Sequence, residues 1–431
     1  MITIKSKIFR NASWIIGCKI MQSLFSVVIT ALTARILAPS NYGLINYAAS
    51  IVAFVVPIMQ LGLNNILVME VVNSPDDEGE IMGSSILMSL FSALLSIGGV
   101  IAFSSIANQG ETETIIVCAL YSLMLISQSF EMIQYWFQAK YLSKFTAITT
   151  LVSALIVSGY KVFLLVTQKS IYWFAVSHAI DYIIIAATLI VIYKKLGGKP
   201  LRFSLRRAIA LFSRSKYYIV SSLMVTIFAQ TGTIMLKHMV NNAATGYYSA
   251  AVTCAGLTNF VFVAIIDSFR PSVFESKKIS VEAFEDKLVS LYSIVTYLAL
   301  AQSIVLAVLA PFVTTVIYGE AYAPTAEVLR ILIWYTIFSY MGPIRNIWLL
   351  AEEKQKYLWV INLLGAIANI LMNLIFIPMW NIAGAALAAL LTQIFTNVVL
   401  GFIIKPIRRN NLLILRGLNP SNLIKLIKKV R

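Results

Sequence analysis

Apolar residues run in stretches of about twenty along almost the whole chain, and short turns between them hold most of the charges. A helix rising 1.5 Å per residue needs such a run to cross the hydrocarbon core of a bilayer. The pattern predicts twelve membrane spans, at about 12–34, 43–68, 81–106, 114–137, 145–167, 171–193, 217–237, 246–269, 288–317, 326–350, 357–377 and 382–404. Pro39, Pro75, Gly110 and Pro378 fall in the turns, where helix breakers belong.

Two turns share a local plan. "RILAPSNYGLINYAAS" at 35–50 and "HMVNNAATGYYSAAVT" at 238–253 each give a basic residue, a polar turn, a glycine eight positions on and then small residues. Gly43 matches Gly246 and Ala48 matches Ala251. The sixth and twelfth spans both end in basic exits, "VIYKK" at 191–195 and "FIIKPIRR" at 402–409. These points predict two six-helix lobes, 1–200 and 201–404, followed by a basic tail, 405–431. An even number of spans per lobe gives both the same orientation, a parallel pseudo-two-fold repeat.

Composition agrees with an all-α polytopic membrane protein: 59% of residues are hydrophobic and 12% charged, against roughly a quarter charged in soluble domains. Mean hydropathy is +0.83. The first apolar run is too long for a cleaved signal and leads into no soluble domain. Cys18, Cys118 and Cys254 sit inside apolar runs and read as small buried hydrophobes. The net charge of +16 changes the picture by its placement. Eight basic residues and no acid lie in 194–216, and eight more with no acid follow from Lys405. With both termini in the cytoplasm, the outer side holds only Arg35, Lys169 and Lys237, as the positive-inside rule requires. Topology accounts for the charge without nucleic acid, and the basic face suits anionic lipid. Residues 421–431 alternate apolar and basic, and read equally as a membrane-surface segment or a solvated tail.

Polar residues within the spans fall on helical faces: Lys19, Gln22, Ser26, Thr30 and Thr33; Asn46, Ser50, Pro57, Gln60 and Asn64; Ser222, Thr226, Gln230, Thr233 and Lys237; Ser249, Thr253 and Gly256. For a single Ser or Thr, interhelical hydrogen bonding is the plain reading; four matched stripes predict a hydrated central cavity. Each ionisable residue in mid-span costs a few kcal/mol unless paired or hydrated. The cations are Lys19, Lys161, Arg330 and Arg345, with His178; the acids are Glu131, Asp181 and Asp267. Lys161 and His178 enter from the same end to similar depth, so they are expected to line one site. Asp181 follows His178 by three residues on the same face, which makes this pair the ion-coupling candidate. Asp267 and Glu131 sit near inner ends, where snorkelling or pairing, for example with Arg270, is the plain reading. Asn362, Asn369 and Asn373 suggest packing, and Gly384, Ala385, Ala388 and Ala389 a close helix seam. There is no phosphate loop and no His/Cys cluster with metal spacing, so no catalytic residue, metal or cofactor is expected.

"TARILAPSNYG" at 33–43, "GYYSAAV" at 246–252, "IYGEAYAPTAEVLRIL" at 317–332 and "NIAGAALAALLTQ" at 381–393, with the six-plus-six layout, resemble the Wzx-type O-antigen and capsule repeat-unit flippases of the multidrug/oligosaccharidyl-lipid/polysaccharide exporter superfamily. The resemblance spans nearly the whole chain through loose motifs of glycines, turns and small residues. It implies a MATE-like fold in the bacterial inner membrane. It also implies translocation of an undecaprenyl-diphosphate-linked oligosaccharide to the periplasmic leaflet by alternating access, alongside other polysaccharide assembly proteins. Many relatives read Gln-Thr-Asp where this chain has Gln230-Thr231-Gly232, so a cation-coupling carboxylate is missing there. A diphosphate in a hydrated cavity would be met by Lys19, Lys161, Arg330, Arg35 and Lys237, and a sugar by Gln22, Asn64 and Gln230. The rival on the same fold is a multidrug cation antiporter, which calls for cavity carboxylates rather than cations. A membrane polysaccharide polymerase or glycosyltransferase calls for a large or acidic outer loop, and residues 35–42 hold no acid.

Overall fold

The computed structural model describes residues 2–421, without the side chains of residues 2–16, Lys19, Ile20 and Leu24. The predicted cavity residue Lys19 and the tail segment from residue 422 therefore lie outside the described residues. Among the described residues all regular structure is helical. The chain divides into two compact units, Met1–Gln230 and Thr231–Arg431.

The first unit contains α1 (Ile2–Met59), α2 (Glu78–Ala107), α3 (Thr112–Ser122, continued by short turns to Ala139), α4 (Ser143–Val166), α5 (Ile171–Lys195) and most of α6 (Leu205–Met239). The second contains α7 (Asn242–Gly256), α8 (Asn259–Ile279), α9 (Val281–Tyr318), α10 (Ala323–Leu332), α11 (Met341–Ala351), α12 (Leu358–Ile394) and α13 (Arg408–Gly417). Among the described residues eight helices are long and apolar enough to cross a membrane, or nine if α7 and α8, bent by 42°, form one span. Twelve were expected, and the difference has local causes. α1 covers the first two predicted spans, with a break between them at Ala38 (φ 60, ψ 167). α12 covers the last two, with a break at Trp380 and Asn381. The predicted span 326–350 is broken into short helices between Ala323 and Ala351.

α12 is a hairpin. Asn369 Nδ2 donates to Thr392 Oγ1 at 3.2 Å, whereas 23 residues of straight helix would hold them about 34 Å apart. A Cβ on Gly384 would stand 2.0 Å from the Phe376 carbonyl oxygen, so the returning helix needs glycine there. The expected asparagine packing and small-residue seam are both present in this hairpin.

α2 shows why the membrane, not water, is the solvent. Ser84, Ser85, Ser89, Ser92, Ser96 and Ser104 are buried, while Phe91, Leu94, Leu95 and Ile106 on the opposite side are exposed. Lipid tails are as apolar as leucine, so small residues that allow close approach face the protein. Ser92 and Ser89 donate to the Ile58 and Met59 carbonyls at 2.9 and 3.1 Å, satisfying the C-terminus of α1.

The basic stretch 194–216, expected on the cytoplasmic side, packs in large part onto the rest of the first unit as a strap. Lys199 approaches Asp76 at 3.6 Å, Arg214 meets Glu70 at 2.5 Å, and Arg207 pairs with Asp77. The Ser204 amide donates to Ser84 Oγ at 3.0 Å, and the Arg202 amide to the Gly79 carbonyl at 3.1 Å. The acids of the α1–α2 connection supply charge complementarity that the basic stretch itself lacks. The strap lies so close that a Cβ on Gly83 would stand 2.3 Å from the Arg202 carbonyl oxygen. Gly83→Val should therefore cost about 1–3 kcal/mol by overpacking and speed tryptic cleavage at Lys199 and Arg202. Unchanged digestion would show that the strap is not held there.

In the second unit, Phe262 stacks on Tyr340 with ring centroids 4.0 Å apart, within a core that includes Tyr292, Trp348 and Leu413. A π-helical turn, Phe395–Val399, follows α12. Such a turn shifts carbonyls out of register with their usual donors, and two side chains supply replacements. Arg345 Nη1 donates to the Thr396 carbonyl and to Asn397 Oδ1, both at 3.0 Å. Asn411 Nδ2 donates to the Val398 carbonyl at 2.5 Å. Arg345 is 6% exposed and has no acid within ion-pair distance among the described residues.

Candidate functional site

The intramembrane charges of the first unit gather where α3, α4 and α5 pack together. Ser153 on α4 and Asp181 on α5 are the closest pair: Ser153 Oγ donates to Asp181 Oδ1 at 2.5 Å. His178, one turn before Asp181, faces Tyr121 of α3. The rings lie 4.5 Å apart, with the tyrosine hydroxyl 3.4 Å from Nδ1. Lys161 lies two turns beyond Ser153 on α4, within electrostatic reach of both His178 and Asp181. The sequence-based expectation that Lys161, His178 and Asp181 share one neighbourhood matches this arrangement.

Glu131 is the residue that sequence reasoning missed. Its position near a span end suggested snorkelling, yet it lies within electrostatic reach of Asp181 and Tyr182 and bonds to Gln128. Gln128 Nε2 in turn donates to the Tyr182 hydroxyl at 3.4 Å. Gln128 and Glu131 are spaced three apart, a signal that could have linked them; their partners on α5 could not be read locally. Asp267 does form the simple pair expected, with Arg270 at 3.1 Å. The cluster thus holds one lysine, one histidine and two carboxylates, joined by hydroxyl and amide groups.

The other candidates described in the first unit lie on α1, in the α1–α2 connection and on α6. Gln22 is half-buried on α1, and Arg35 is exposed three residues before the Ala38 break. Asn64 Oδ1 accepts from its neighbour Asn65 at 2.8 Å. Gln230 Oε1 accepts from Ser50 Oγ at 2.9 Å, linking two of the predicted polar stripes. In the second unit Lys237 is buried in the last turn of α6, and Arg330 is exposed in the last turn of α10. Several stripe hydroxyls bond within their own helix: Thr226 donates to the Ser222 carbonyl at 3.0 Å and Thr253 to the Ser249 carbonyl at 2.9 Å. The absent carboxylate at Gly232 has a steric counterpart, since a Cβ there would meet the Tyr248 hydroxyl at 3.1 Å. Among the described residues no group of three or more His, Cys, Asp or Glu is placed to hold a metal ion.

Comparison with solved structures places the fold. The chain superposes on the lipid II flippase MurJ in an inward closed conformation with a TM-score of 0.71, at 14% identity, covering 95% of this chain and 92% of that one. It also superposes on a mutant of the Vibrio cholerae MATE transporter VcmN with a TM-score of 0.64, at 12% identity, covering 96% and 99%. An inward-facing MATE transporter of the MOP superfamily gives 0.57 at 12% identity, covering 91% and 94%. These likenesses establish a MATE-like, MurJ-like fold, as the sequence motifs implied. A search of curated protein sequences finds no match. The family model for polysaccharide biosynthesis proteins matches residues 8–277, more than half of the chain. The chain is a multi-pass membrane protein, and it belongs to the polysaccharide biosynthesis protein family.

Proposed function

We propose that this protein is a flippase that carries an undecaprenyl-diphosphate-linked oligosaccharide repeat unit from the cytoplasmic to the periplasmic leaflet by alternating access. The observation that carries the reading is Lys161, an intramembrane cation of the first unit set among polar groups, in a chain of the polysaccharide biosynthesis family. A lysine within the hydrocarbon region is expensive unless it serves a polar path or ligand, and a diphosphate is a ligand that requires one. Outward movement of an anion is also assisted by an inside-negative potential, by about 2.3 kcal/mol per charge per 100 mV. In this reading the protein works in the bacterial inner membrane with both termini cytoplasmic. It serves O-antigen, and hence lipopolysaccharide, or capsule assembly, and catalyses no covalent step.

The test is complementation of a strain lacking its own repeat-unit flippase, supplied with a matched sugar unit. Restored surface polysaccharide is the expected result. Failure to restore it, together with resistance to cationic drugs, would assign the second reading, a multidrug antiporter on the same fold. The MATE likenesses make that reading the relevant competitor.

His178 and Asp181 are the proposed coupling groups. His178 lies within electrostatic reach of Lys161, with Nδ1 3.4 Å from the Tyr121 hydroxyl, and imidazole is the side chain whose ordinary titration lies nearest physiological pH. His178→Ala should flatten the dependence of transport on pH while leaving expression unchanged. An unaltered pH profile would remove it from coupling.

A further inference from the structure

The second unit carries a groove that the transport reading does not use. Its volume is about 260 Å³, and its walls include Leu300 of α9, Ile337, Phe338, Phe402 and Leu415 of α13. The surface it offers is apolar. The volume is below the roughly 300–1,000 Å³ of a drug-sized pocket, which suits a single hydrocarbon chain. Lipid is the surrounding solvent of this unit, because α9 and α12 are membrane-crossing helices by length and composition.

Two cations flank the groove residues in sequence. Lys405 follows Phe402 by three residues, and Arg408 precedes the groove residue Asn411 by three. Both cations are exposed, and neither has an acid within ion-pair distance among the described residues. Their neighbours on α13 differ: Arg409 meets Glu285 at 2.5 Å, and Arg416 meets Glu285 and Asp286 at 3.2 Å each. A further cation comes to the same corner, since Lys354 Nζ donates to the Pro406 carbonyl at 3.1 Å. The helix itself is built for a membrane surface. Leu413, Ile414 and Gly417 are buried against α9 and its surroundings, while Leu412 and Leu415 are exposed beside Arg408. A helix with exposed leucines flanked by basic residues seats at the level of lipid headgroups.

We propose that this groove holds one acyl chain of an anionic phospholipid whose headgroup phosphate is bound by Lys405 and Arg408. The apolar walls select a chain, and the unpaired cations select a negative headgroup over a zwitterionic one. The site lies wholly within the second unit and does not depend on what the protein transports.

The test uses the purified full chain in nanodiscs containing equal amounts of phosphatidylglycerol and phosphatidylethanolamine, with retained lipid counted by native mass spectrometry after release. The wild type should retain about one phosphatidylglycerol per chain in preference to phosphatidylethanolamine. Lys405→Gln with Arg408→Gln should lower that preference roughly thirtyfold, as expected for two surface cations. These exposed positions leave the core intact. Leu300→Trp should reduce retention of either lipid by filling the groove. Equal retention of the two lipids by the wild type would overturn the proposal, as would an unchanged preference in the double variant. Stoichiometric displacement of phosphatidylglycerol by added undecaprenyl phosphate would overturn it too, because the groove would then belong to the carrier lipid. Because the readout is binding without transport, failure of the flippase reading leaves this result standing, and the reverse also holds.

Discussion

Lys161→Ala is expected to reduce surface polysaccharide in the complementation strain ten- to hundredfold at equal expression, while Lys161→Arg retains most of it. A hydrogen bond to a charged group is worth about 1.5–3 kcal/mol, which converts to that range of rates or occupancies if Lys161 meets the diphosphate as proposed. The second contribution is internal. Asp181 and Glu131 lie in the same neighbourhood, and Lys161 is the lysine within electrostatic reach of Asp181. Removing the cation also takes away a positive charge within reach of Asp181, so the cluster as a whole should disfavour an anionic substrate. Arginine preserves the charge and can meet phosphate in bidentate fashion. If both substitutions abolish activity while the protein stays folded, the ammonium geometry rather than the charge is essential. If alanine is neutral, the anion path lies elsewhere.

The largest stability effect is expected in the second unit. Arg345→Ala removes the donor for the Thr396 carbonyl and for Asn397 Oδ1. Each buried acceptor left without a partner costs about 1–3 kcal/mol. A net loss of about 3 kcal/mol is expected, seen as a fall of roughly 5–10 °C in the thermal unfolding midpoint in detergent. Arg345→Lys should fall between, because an ammonium on a flexible stem does not reproduce the planar fork. Asn397 also donates to Gln393 Oε1 at 2.7 Å, so the disturbance should spread along the turn. An unshifted midpoint for Arg345→Ala would mean that the π-helical turn is held by backbone packing alone.

These two residues show what could be read from the chain. Lys161 and Arg345 were both visible as mid-span cations, since a lysine or arginine within twenty apolar residues stands out in any window. Their roles were not. Arg345 docks on a π-helical turn fifty residues later, and no local pattern distinguishes Phe395–Val399 from ordinary helix. Glu131 looked like a span-end acid until α5 was packed against it. The basic stretch 194–216 has no acid of its own, and its partners Glu70, Asp76 and Asp77 lie more than a hundred residues earlier. Breaks at Ala38 and Trp380–Asn381 were anticipated by Pro39 and Pro378, yet both segments continue in helical form on either side.

The sequence by itself determined that the chain crosses a membrane repeatedly as helices, because hydropathy over twenty residues and the need to satisfy every backbone group in lipid leave no other structure. It also determined which polar residues are anomalous, because each must be compensated. Only the tertiary structure decided how they are compensated: Ser153 with Asp181, Gln128 with Tyr182, Arg345 with the π-helical turn, and the basic strap with the acids of the α1–α2 connection. Hydropathy is a property of each residue and adds up along the chain. Compensation is a property of pairs brought together from distant positions, and it appears only when the helices pack.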